Sequence, residues 1–211
     1  MATSVTAPSG ERTLDPIGQK LVLEGARLLA EEGPAALTVR RISAGAGVST
    51  MCLYDRFGDK NGVIEELFVE GFQSLGEALT RSVGRRASCD DADPVECLLE
   101  GALTYRRWAL RNRTQYGVMF SRAVPDFLPS ARALDTSCST LAILQAGVTA
   151  AVEAGRLGPP GVDPDAVAHM LWSTMHGLVS LELAGLQRGV GPSPSRHFEA
   201  AMRAMLRGLA P

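Results

Sequence analysis

Few side chains in this sequence are grouped as covalent or acid–base chemistry would require. There is no Ser/His/Asp or Cys/His set, no paired-carboxylate motif and no phosphate loop, which argues against an enzyme. The four cysteines, Cys52, Cys89, Cys97 and Cys138, make no CxxC pair and no zinc-like spacing, so free thiols in a reducing cytosol are expected. His169 and His176 stand seven apart and share a helix face, but no Cys or carboxylate set accompanies them, and core or interface histidines are the simpler reading. No metal and no cofactor are expected. What remains is the run GVSTMCLYDRF at 47–57, with Ser49, Thr50, Tyr54 and Arg56 on one short segment, Thr38 and Arg40 ahead of it and Lys60 behind it. Hydroxyl-capped helix N-termini and Lys/Arg side chains hold phosphates, and Arg can pair with both acceptors of a guanine edge.

The whole chain gives no electrostatic support for such a partner. Its 211 residues carry a formal net charge of −2, with 45% hydrophobic and 21% charged residues, the profile of a globular protein with a sizeable core. Residues 1–60 hold seven Lys/Arg (Arg12, Lys20, Arg27, Arg40, Arg41, Arg56, Lys60) against seven Asp/Glu (Glu11, Asp15, Glu24, Glu31, Glu32, Asp55, Asp59). Nucleic-acid contact must therefore rest on local placement. Apolar runs are interrupted well short of the roughly 18 residues that span a membrane, so no membrane association is expected.

The elements that must position these residues are all helical. Apolar spacing predicts about nine helices: 16–32, a short one opened by Thr38 and closed by Gly47, another opened by Ser49 and closed by Gly58, then 59/60–83, 94–112, 115–122, 130–154, 163–188 and 196–209. Residues 1–13 read as a disordered tail and 82–93 as a polar loop or boundary. The expected organisation is that tail, a helix-turn-helix domain over 14–60 and a helical-bundle domain over 61–211.

Two short helices joined at Gly47-Val48 match the helix-turn-helix, whose second helix enters the major groove. Gly47 can end the first in a left-handed conformation, Ser49 can cap the second, and Val48 can pack on Leu53. Leu53 and Phe57 face inward, leaving Thr50, Met51, Tyr54 and Asp55 outward. The run LTVRRISAGAGVSTMCLYDRFGDKNGVIEELF (37–68) resembles the tetracycline-repressor (TetR) family of bacterial transcription regulators, through Thr38, Ile42, the turn 46–49, Leu53-Tyr54, Phe57 and Lys60. With the preceding Gly33-to-Thr38 exit, the resemblance covers roughly residues 17–70. It implies base contacts from Arg40, Thr50, Met51 and Tyr54, and phosphate contacts from Thr38, Tyr54, Arg56 and Lys60. Ser49 caps the reading helix. Met51, Cys52 and Asp55 depart from the family's usual residues and bear on operator choice. Taken outside the motif, Arg40 and Arg41 would read as a solvated pair and Tyr54 as packing.

The C-terminal stretches AHMLWSTMHGLVSLELAG (168–185) and YGVMFSRAVPDF (116–127) resemble a Trp-His-Gly subgroup of the same family, through Trp172, His176 and Gly177. The family implies a small-molecule effector site and dimerisation through the last two long helices. Tyr105, Trp108, Tyr116, Met119, Phe120, Met170, Trp172, Met175 and His176 could line an apolar effector pocket, or be ordinary core. Arg106, Arg107 and Arg111 could meet an anionic effector, or form a solvated face. Gly177 inside a helix suggests a close helix–helix approach. Val167, Met170, Leu171, Leu178 and Leu181 on one helix, with Phe198, Ala201, Met202, Met205 and Leu206 on the other, fit a four-helix interface across a two-fold axis. Such a dimer sets two reading helices about 34–36 Å apart or somewhat more on a palindromic site in double-stranded DNA. The expected protein is a cytoplasmic, homodimeric, effector-responsive regulator, most simply a repressor. The alternative is a protein-interaction or effector-binding module of the same fold that has lost DNA binding.

Overall fold

The computed structural model describes residues 14–88, 93–159, 161–187 and 193–211. The expected tail at 1–13, Cys89 and the expected helix end at Arg188 lie outside the described residues. Among the described residues all regular structure is helical: α1 (Pro16–Glu32), α2 (Val39–Gly45), α3 (Thr50–Phe57), α4 (Lys60–Ala87), α5 (Pro94–Arg111), α6 (Arg113–Phe120), α7 (Ala131–Glu153), α8 (Pro164–Leu183) and α9 (Pro194–Gly208). The chain divides into two compact units, one ending at Ile64 and the other beginning at Glu65.

The N-terminal unit is built by local rules. Asp15 caps α1 by accepting from the Gly18 amide at 2.7 Å, with Pro16 in the first helical position. Gly33, at φ 80°, ends that helix. Thr38 caps α2 through the Arg41 amide, and Ser49 caps α3 through the Cys52 amide. Gly47 sits at φ 70° between α2 and α3, a left-handed turn that a β-carbon would strain. Leu21, Val22, Leu28, Leu37, Ile42, Leu53 and Phe57 are buried, so three amphipathic helices share one small core. Neither α2 nor α3 is long enough to persist alone. At the start of α4, a β-carbon on Gly62 would lie 2.1 Å from the Phe57 carbonyl oxygen, so only glycine fits there.

In the C-terminal unit α5 packs on α7, α8 and α9, with α7 on α8 and α8 on α9. Its core includes Leu99, Ala102, Tyr105, Trp108, Tyr116, Val148, Val167, Leu171, Val179, Phe198, Met202 and Leu206. Arg106 of α5 holds Glu182 of α8 through two bonds of 2.6 and 2.8 Å, and its guanidinium lies 5.9 Å from the Phe198 ring centre. The loop expected from residue 82 begins later. Ser82 is buried and bonded to Thr104 at 2.7 Å and Glu100 at 3.0 Å, and these contacts with α5 carry α4 on to Ala87. Helix α8 stops at Leu183, short of the expected 188, where Gly185 turns at φ 71°.

Candidate nucleic-acid interface and effector cavity

On α3, Leu53 and Phe57 face the core while Thr50, Met51, Tyr54 and Asp55 are exposed, Met51 at 63% and Tyr54 at 50%. Thr38 and Arg40 are exposed at the start of α2 and Ser49 at the start of α3, while Lys60 is half-buried at the start of α4. Arg41 is engaged locally by Glu32, at 2.7 Å. The Cys52 thiol lies 3.4 Å from the Ser49 hydroxyl, tucked against the cap of its own helix.

Arg56 is engaged within the N-terminal unit. Its guanidinium grips both oxygens of Asp15 at 2.6–3.1 Å and the Cys52 carbonyl at 3.1 Å, because the packing of α1 on α3 delivers that carboxylate to it. Arg56 therefore fastens α3 to the start of α1. The bonds from Arg56 and from the Gly18 amide draw the Asp15 carboxyl down to about 2. Asp15 as the partner was missed because 41 residues separate the pair.

The second site is a cavity of about 540 Å³ in the C-terminal unit, walled by α4, α5, α6, α7 and α8. At one end α7 is fastened to α4 by Ser130 on Glu65 (2.8 Å) and Arg132 on Glu66 (2.7 Å). Of the residues expected to line a pocket, Tyr105, Met119, Phe120, Trp172 and Met175 do so. Trp108, Tyr116 and His176 stand outside the wall, and Met170 is exposed on the surface of α8. Trp108 is core, its indole donating to Ser74 at 2.8 Å.

His176 instead organises a polar cluster behind the wall. Its Nδ1 is 3.1 Å from the Tyr105 hydroxyl and 2.9 Å from that of Tyr116, and the Tyr116 hydroxyl also meets Ser180 at 3.1 Å. Burial lowers the imidazole's pKa and raises that of Tyr105, which favours a neutral ring beside a neutral Tyr105 phenol. His169 faces water and bonds the Asp165 carbonyl of its own helix. Sequence reasoning missed the long cavity faces of α4 and α7, such as Leu79, Val83, Leu141 and Leu144. An apolar stripe reads the same whether it meets protein or empty space.

The residues expected at a dimer interface separate into two groups. Leu171 and Met202 are 2% and 1% exposed and belong to the chain's own core, since α8 and α9 turn those faces toward α5. Leu181 is exposed, and Leu178 and Met205 are half-buried. A β-carbon on Gly177 would meet nothing within 4 Å, so the close approach this glycine suggested is absent within the chain.

Two family models match this chain. One, described as bacterial regulatory proteins of the tetR family, covers residues 21–67, and the other, a tetracyclin repressor-like C-terminal domain, covers 98–205. The chain belongs to the TetR family. Family members are transcription regulators that bind DNA through the N-terminal helix-turn-helix, and the family is not an enzyme class. Similar curated proteins include the HTH-type transcriptional regulators Rv1816 of Mycobacterium tuberculosis and Mb1846 of Mycobacterium bovis, each 22% identical with 93% of both chains covered. Among solved structures, a protein of unknown function from Rhodococcus sp. RHA1 matches with a TM-score of 0.80 at 23% identity, over 96% of this chain and 100% of that one. The TetR family regulator PfmR from Thermus thermophilus matches at 0.66 and 22%, over 91% and 100%. These likenesses carry the fold. Among the described residues no helix is long and apolar enough to cross a membrane.

Proposed function

We propose that this TetR family protein is a homodimeric repressor, released from a palindromic operator when a small apolar molecule enters the cavity of its C-terminal unit. The observation that carries the DNA half is the exposure of Thr50, Met51 and Tyr54 on a helix whose other face is anchored by Leu53 and Phe57. Thr50, Met51, Tyr54 and Arg40 read base edges, while Thr38, Tyr54 and Lys60 hold phosphates, with Ser49 capping the reading helix. A repressor role finds support in a structural neighbour of 18% identity titled the secondary repressor of a multidrug efflux pump, NalD of Pseudomonas aeruginosa. Dimerisation uses the outward faces of α8 and α9, including Leu178, Leu181 and Met205. The effector acts by binding one of two dimer states more tightly, and the shift it achieves is limited by that difference.

Selection of bound sequences from a random duplex pool, with the full-length protein, tests this directly. A palindromic site should emerge, and Tyr54→Ala combined with Lys60→Ala should abolish its binding while leaving the dimer intact. A second reading, a protein-interaction module without DNA binding, draws on Asp55, an exposed acid beside Met51 and Tyr54. Binding to duplex DNA that fails to weaken steeply with salt would favour it.

A further inference from the structure

The outermost ridge of α3 carries a charge that no side chain of the N-terminal unit answers. We infer that Asp55 is a specificity-determining residue, selecting a C·G pair in each half of the operator by accepting a hydrogen bond from the cytosine amino group. The inference rests on reading α3 as the helix that enters the major groove.

The first observation is direction. Leu53 and Phe57 are 0% and 9% exposed and fix the inward side of α3. Successive residues of an α-helix are turned by about 100°, so Asp55, midway between the two in sequence, points directly away from their mean direction. On the same wheel Met51 is displaced from Asp55 by about 40° and Tyr54 by about 100°. A helix that turns this side to DNA leads with Met51 and Asp55, and Tyr54 stands on its flank.

The second observation is charge. Every other carboxylate among the described residues of the N-terminal unit is engaged. Asp15 is held by Arg56 at 2.6 Å, Glu24 and Glu31 by Arg27, Glu32 by Arg41 at 2.7 Å, and Asp59 by the Asn61 amide at 2.7 Å. Among the described residues no hydrogen bond or ion pair reaches the Asp55 carboxylate, and the guanidinium next to it in sequence, that of Arg56, is turned to Asp15. In water such a carboxylate is well solvated. Between two strands of phosphates it is repelled unless a donor meets it.

The bases decide which donor that is. Only two groups on the floor of the major groove donate, the amino groups of cytosine and adenine. The adenine amino group has an acceptor on each side, N7 of its own ring and O4 of the paired thymine. That of cytosine has one on a single side, O6 of the paired guanine. A carboxylate can only accept, so it meets less repulsion over cytosine, and over guanine or thymine it faces acceptors alone. Asp55 therefore marks the right sequence and penalises the wrong ones. An amide in its place would favour adenine, since its NH₂ serves N7.

The test is selection from a random duplex pool with the full-length protein, unaltered and as Asp55→Ala and Asp55→Asn, followed by titration of single sites. The unaltered protein should select C·G at two symmetry-related positions, and exchanging that cytosine for thymine should weaken binding by about 5- to 150-fold per half-site. For Asp55→Ala the ratio should fall close to one, with preferences elsewhere kept. That variant should also bind random-sequence duplex more tightly, because one negative charge has left the neighbourhood of the phosphates. Asp55→Asn should move the preference at those positions to A·T. Neither substitution breaks a bond within the described protein, so both variants should fold. An Asp55→Ala variant that binds all duplexes more tightly with every base preference unchanged overturns the inference and leaves the DNA-reading helix standing. A·T pairs at the Asp55-dependent positions of the unaltered protein's site overturn the choice of cytosine. If the unaltered protein selects no site, the DNA reading falls and this inference falls with it.

Discussion

Arg56 of α3 and Asp15 at the cap of α1 are joined by three bonds of 2.6–3.1 Å, so one carboxylate both starts α1 and holds α3. Arg56→Ala should weaken operator binding by loosening α3 while leaving the salt dependence of binding unchanged. A slope reduced by about 0.9 would instead mean that Arg56 leaves Asp15 for a phosphate.

The same pair sets an acid limit on the N-terminal unit. Asp15 is held near 2 against an ordinary 3.8, so the folded state binds its proton less readily than the unfolded state. Its contribution is complete above 3.8 and is lost as pH falls through about 2. Asp15→Asn should lower the urea midpoint at neutral pH, and the gap from the unaltered protein should close across that window.

Met51 and Lys60 should divide specificity from affinity. Met51→Gly should change which base pairs are preferred, with little effect on the salt slope. Lys60→Ala should weaken binding to all sequences alike and reduce the slope by about 0.9. Sequence selection and salt titration on both variants check this, and the opposite pattern would exchange the two roles.

His176 Nδ1 lies within hydrogen-bond reach of two tyrosine hydroxyls, those of Tyr105 and Tyr116, both almost wholly buried. His176→Leu should destabilise the C-terminal unit by about 1–3 kcal/mol, the cost of a buried polar cluster that loses its shared ring nitrogen while Tyr116 keeps only Ser180. Burial depresses the imidazole's pKa, so the unfolded chain takes up the proton first. Stability is then complete above the ordinary 6.5 and falls as the solution is acidified below it, an effect the variant should lose in thermal melts from neutral to mildly acidic pH.

Leu181 and Met202 should fail in different ways. Leu181→Glu, on an exposed position of α8, should give a folded monomer by sedimentation. Met202→Ala should cost about 2–5 kcal/mol of core stability without changing the oligomeric state of the folded fraction. Gly177→Ala meets no neighbour within the chain and should favour its helix by about 1 kcal/mol, so any loss of dimer it causes locates a partner there.

The amino-acid sequence by itself determined the local structure. Asp15, Thr38, Ser49 and Ser130 begin helices because a side-chain oxygen placed at that point meets the first free amides, and Gly33, Gly47 and Gly58 end them because each stands at positive φ. The spacing of Leu53 and Phe57 likewise fixed which side of α3 faces outward. Tertiary structure decided what lies far apart along the chain. It paired Arg56 with Asp15, moved His176 behind the cavity wall and extended α4 through the Ser82 contacts with α5. It also turned Leu171 and Met202 inward while leaving Leu181 outside. Periodicity marks the apolar face of a helix, but whether that face meets another helix, an open channel or a second chain depends on the distance between backbones, which no local pattern encodes.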